Sequence, residues 1–131
     1  MIVDYAFLCD YAETGAKLHA MGIGIDAIMT KEVPVKHPLF FIVIQLRASV
    51  AEVGTKNLTL RIIDADGKDV IPEASVTLNV PRPQAGSMDS VARVAMRLND
   101  VTFPRFSEYA VHLLIQGQEL VRLPLRVSAA A

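Results

Sequence analysis

Apolar and polar residues alternate with period two along most of the chain, the pattern of strands with one buried face. The clearest stretch places Phe40, Ile42, Ile44, Leu46 and Ala48 on one side and Gln45, Arg47 and Ser49 on the other. The same alternation recurs over Leu58–Leu60–Ile62, Val76–Leu78–Val80 and Ala92–Val94–Met96–Leu98. It returns at Tyr109–Val111–Leu113–Ile115 and Val121–Leu123–Leu125–Val127. These windows predict six strands after residue 38. Upstream, residues 2–10 read as a strand and residues 17–29 as a longer one interrupted by Gly22 and Gly24. Glycines inside a strand mark a bulge or a close backbone approach. No window keeps a helical apolar period for three turns, and 25 residues are Val or Ile, which favour strands.

Turn chemistry separates the windows. Asp66-Gly67 is a hairpin signal, and Gly117 sits between two strands as a tight turn. Pro34, Pro38, Pro72, Pro81, Pro83 and Pro104 fall where a missing N–H does least harm, at strand edges or in loops. Seven or eight short strands without helices predict an all-β fold: a single antiparallel β-sandwich domain over residues 1–127, immunoglobulin-like, with 128–131 as a frayed tail. Residues 103–109, Phe-Pro-Arg-Phe-Ser-Glu-Tyr, place Tyr109 near the start of an alternating strand. That is similar to the tyrosine corner of immunoglobulin-type sandwiches, where the hydroxyl bonds a backbone group upstream; the other reading is a core tyrosine with a wet hydroxyl.

Composition narrows the function classes. At 131 residues with 52% hydrophobic content, the chain is long and apolar enough for one buried core. A net charge of -1 argues against a protein that coats nucleic acid or an anionic membrane. One cysteine, Cys9, rules out an internal disulfide framework; that fits a reducing compartment, and a disulfide-free secreted protein would look the same. Asp4 and Asp10 break the first apolar run, so no secretory signal is expected, and the run at 39–44 is far too short for a membrane helix. The expected location is cytoplasmic.

Several segments also carry a resemblance: VDYAFLCDYAE at 3–13, HPLF at 37–40, IDADG at 63–67, LNVPRP at 78–83 and FPRFSEYAVHLL at 103–114. Together they resemble a family of small bacterial proteins carried as a domain of unknown function. The resemblance implies a bacterial, stand-alone small protein and transfers no site residue, since these segments are core and turn signals.

Chemistry-bearing patterns are sparse. His19, His37 and His112 lie 18 and 75 residues apart, without zinc-type spacing. Asp64-Ala65-Asp66-Gly67-Lys68-Asp69 has glycine fourth rather than sixth and lacks the glutamate an EF-hand loop needs, so a hairpin turn explains it better than calcium. Gly22-Ile23-Gly24 lacks the third glycine of a dinucleotide fingerprint. Cys9 shares a strand face with Val3, Tyr5 and Phe7, the position of a buried small hydrophobe rather than a nucleophile. No cofactor, metal site or catalytic residue is expected.

Two surfaces remain. Phe41, Val43, Leu114 and Leu120 oppose the main apolar sides of their strands, so they either form an exposed interface or lie under the N-terminal third. Six of the eight arginines occupy outward strand positions. If Arg93 and Arg97 shared a sheet with Arg122 and Arg126, four guanidinium groups could hold a carboxylate or phosphate; the plainer reading is a solvated face. The sequence reading is therefore a non-catalytic interaction module, a homodimer through Phe41, Val43 and Leu114 or a binder of another protein. The alternative is a small-ligand or anion binder using the strand arginines.

Overall fold

The computed structural model describes residues 1–130. Ten strands form in chain order: β1 (Ile2–Cys9), β2 (Tyr11–Thr14), β3 (Leu18–Met21), β4 (Ala27–Thr30), β5 (Val35–Ser49), β6 (Gly54–Ile63), β7 (Ala74–Val80), β8 (Asp89–Phe103), β9 (Ser107–Ile115) and β10 (Gln118–Ala129). A single 3₁₀ turn, Val50–Glu52, joins β5 to β6. The chain is all-β, as its alternation predicts, and among the described residues no helix is long and apolar enough to cross a membrane.

Two sheets enclose the core. One has the order β1-β5-β8, the other β4-β10-β9-β6-β7, and β2-β3 form a separate hairpin. Phe40, Ile42, Ile44 and Leu46 of β5 face Leu58, Leu60, Ile62, Val111, Leu113 and Leu125 across the interior, all almost completely buried. Ten strands replace the seven or eight expected because the first thirty residues break up more finely. The broken strand expected over 17–29 is two elements, β3 and β4, parted at Gly22 and Gly24, whose φ values are +67° and +97°. Left-handed backbone of this kind suits glycine. A Cβ on Gly22 would collide with the Asp10 carboxylate, so of the two readings of an in-strand glycine, a bulge or a close approach, Gly22 shows a close approach, here by a side chain.

The strand pairs are antiparallel, as expected, except that β4 runs parallel to β10. The tail expected to fray at 128–131 is instead paired over its described residues: Ser128 and Ala129 pair with Met29 and Thr30, and the Ala130 N–H donates to the Thr30 carbonyl at 2.8 Å. Ala131 lies outside the described residues. The expected tight turn is present at Gln116-Gly117, where φ values of +51° and +79° match the twist of the flanking strands. Tyr109 bonds back to the backbone four residues upstream. Its hydroxyl donates to the Arg105 carbonyl at 2.7 Å and accepts the Arg105 N–H at 3.1 Å, with Phe103 packed edge-on at 5.0 Å. This local geometry pins the β8–β9 connection.

Candidate functional site

The outward face of the three-stranded sheet divides into two halves, and β5 sets the division. Its residues alternate, so Leu39, Phe41, Val43, Gln45 and Arg47 all point away from the main core. The apolar half is covered. Phe41 and Val43, with Cys9 and Phe7, pack beneath Ala12, Leu18 and Ala20 of the β2-β3 hairpin. Val43 is 0% exposed and Phe41 7%, so neither offers an interface; the N-terminal third folds over them. The Cys9 thiol is buried here too, and burial pushes its pKa up, away from the thiolate.

The second half is polar and linked by hydrogen bonds. Gln45, only 8% exposed, accepts from the Tyr5 hydroxyl at 2.8 Å and from Arg93 Nε at 2.9 Å. Its amide nitrogen donates to Asp4 at 2.8 Å, and Arg47 Nε donates to the other Asp4 oxygen at 3.0 Å. Asp4 reaches both because β1 bulges between Val3 and Tyr5. The array fixes the Arg93 and Arg47 side chains above β8 and β5.

β8, fifteen residues long, ends this sheet; among the described residues it pairs on one side only, with β5, at fourteen positions that skip Asp100. Along its first half three connected cavities form a groove. The first, about 730 Å³, lies between the 3₁₀ turn and the loop after β7; Val50, Val53, Pro83 and Met88 give it apolar walls. It shares Arg82, Gln84 and Ser87 with the second, about 370 Å³, which Arg47, Asp89, Ser90 and Val91 complete. Val91 then leads into a third, about 430 Å³, between Arg93 and the hairpin turn at Thr14, Gly15 and Ala16. Met88 is 89% exposed and Val50 69%, so the apolar walls face solvent. Among the described residues Arg82 makes no hydrogen bond or ion pair, and the Ser90 hydroxyl is buried without a partner. Pro81 and Pro83 flank Arg82, each with its own φ fixed at about −65°. That spacing is the signal by which the sequence could have flagged this loop, which reads otherwise as a plain turn.

Of the candidate arginines only Arg93 lines this groove. Arg93 and Arg97 belong to β8, whereas Arg122 and Arg126 belong to β10 in the other sheet, so the four cannot share one surface. Arg97 donates to Asn99 at 3.1 Å, and Arg126 lies 3.4 Å from Glu108. Leu114 and Leu120 are likewise on the second sheet; a bulge between Glu119 and Val121 turns Leu120 onto the main core. The apolar patch expected from Phe41, Val43, Leu114 and Leu120 is therefore not one face. Opposite the groove, His112 stands between Arg61 and Arg122 and bonds Glu119 through Nδ1. In the acidic turn, Asp64 accepts the Asp66 and Lys68 N–H groups at 2.9 Å and Arg105 Nη2 at 2.8 Å. Those bonds, the Lys68 amide foremost, hold its pKa below the usual value. They make the turn a brace between the β6–β7 and β8–β9 connections.

One comparison with known proteins applies to nearly the whole fold. The family model for DUF6941, a family of unknown function, matches residues 4–128. The chain belongs to DUF6941. The DUF6941 match runs from the Asp4 bulge to the last pairs of β10, so it takes in the covered face, the groove and the acidic turn alike. Among curated proteins no match is found.

Proposed function

We propose that this DUF6941 protein is a non-catalytic interaction module that receives an extended, acidic segment of another protein along the edge of β8. The observation that carries the reading is the fifteen-residue edge of β8, unpaired on its outer side. Such an edge offers alternate N–H and C=O groups for a new strand, and each main-chain bond contributes a net 0.5–1.5 kcal/mol or so. Charge selects the segment. Arg47, Arg82, Arg93 and Arg97 flank the edge in a chain whose overall charge is -1. An acidic strand meets these guanidinium groups while its backbone pairs with β8, so affinity falls as salt screens them. The single buried cysteine suits a cytoplasmic setting.

This reading joins the two expectations drawn from the sequence, protein interaction and arginine-held anions, at a different surface. Selection from a random decapeptide library at low salt tests it. Winners rich in Asp, Glu and β-branched residues and poor in Pro, weakened by Arg97→Glu, are expected. Basic or helical winners contradict it. So does a concentration-dependent dimer held through β8 in sedimentation, since a second copy would then occupy the edge.

A further inference from the structure

The groove is chemically uneven along β8, and this gives the incoming strand a direction. β8 begins at Asp89, beside the cavities that contain Arg82. β8 pairs antiparallel with β5, and antiparallel addition is the more stable mode for an edge. A strand laid antiparallel on β8 runs toward Asp89, so its last residue arrives at Arg82.

From this we infer that the groove captures a free C-terminus: the terminal carboxylate on Arg82 and the last side chain, an apolar one, against Val50, Val53 and Met88. The inference rests on the strand-addition reading and adds the end of the segment to it. Two features of the cavities support it independently of β8. Arg82 is a guanidinium between two prolines with no protein partner among the described residues, whereas neighbouring Arg47 already holds Asp4. The larger cavity, about 730 Å³, is lined by Arg82 together with the exposed apolar side chains of Val50 and Met88. A guanidinium beside an apolar pocket suits a carboxylate attached to an aliphatic or aromatic side chain, the pairing that a terminal apolar residue presents. Asp89 lines the smaller cavity and repels a carboxylate placed there, which favours the larger one.

The test uses random decapeptides displayed in two formats, one ending in a free C-terminus and one with the C-terminus fused to the carrier. Enrichment at least tenfold greater in the free format, with an apolar last residue, is expected. Arg82→Gln should abolish that preference while Arg126→Gln, on the other sheet, leaves it intact. Equal enrichment in both formats overturns terminal capture and leaves strand addition standing. Enrichment in neither format overturns both.

Discussion

The two halves of the outward face of the β1-β5-β8 sheet present opposite solutions to one problem. At Phe41 and Val43 the face is apolar, and the chain spends a whole hairpin, β2-β3, to cover it. At Gln45, Arg47 and Arg93 the face is polar, satisfied by side-chain bonds, and open beside an edge with no strand on it. Apolar surface demands cover because leaving it wet forfeits about 25 cal/mol per Å². An open edge costs the monomer little, since water satisfies its backbone groups, but it invites another strand. The comparison separates what the fold needs from what is left for a partner.

Perturbing the covered half should have the largest effects. Val43→Glu buries an unpaired charge, and the variant should lose its cooperative thermal transition; a folded, soluble Val43→Glu would mean that the hairpin does not seal this face. Phe41→Ala should cost about 3 kcal/mol in chemical denaturation, at the low end for phenylalanine because the hairpin can settle into the space. Gly22→Ala places a Cβ against Asp10 at positive φ and should cost ~1–2 kcal/mol. It should also raise the rate of Cys9 alkylation as the hairpin loosens. An unchanged alkylation rate would place the hinge elsewhere.

Smaller effects belong to the braces and the open half. The Asp64 carboxyl has a folded pKa below its ordinary value of 3.8, so its stabilisation is present above that pH and disappears as pH falls through the folded value. Wild type should therefore lose melting temperature more steeply below pH 3.8 than Asp64→Asn; parallel curves would remove Asp64 as the cause. Arg97→Glu should change stability by less than about 0.5 kcal/mol while weakening capture of acidic peptides. A large stability loss would reveal a structural role for that exposed side chain.

Much of the architecture is legible in the alternation, because one buried face per strand leaves a period-two record that tertiary contacts only reinforce. Six windows map onto β5 to β10, and the left-handed turn at Gly117 follows from its residue type. What the alternation cannot carry is which sheet a strand joins. Arg93 and Arg122 look alike in sequence and lie on different sheets, because sheet membership is set by long-range pairing. Phe41 and Val43 read equally as an interface or as covered core, and only the placement of Ala12, Leu18 and Ala20 over them decides. Leu120 is misread for a local reason, a bulge that adds one residue and reverses the side on which it falls. The groove escapes notice because its walls come from three separated segments, each an ordinary turn or strand start.

Backbone amide exchange along β8, read residue by residue with and without a selected acidic peptide, tests the central claim most directly. In the free protein, alternate β8 amides, those turned away from β5, should exchange rapidly despite lying in a fifteen-residue strand. With peptide bound, that same alternate set should become protected while the amides bonded to β5 stay as they were. Protection appearing on the β9–β10 sheet, or a β8 edge already protected in the free monomer, would contradict the account.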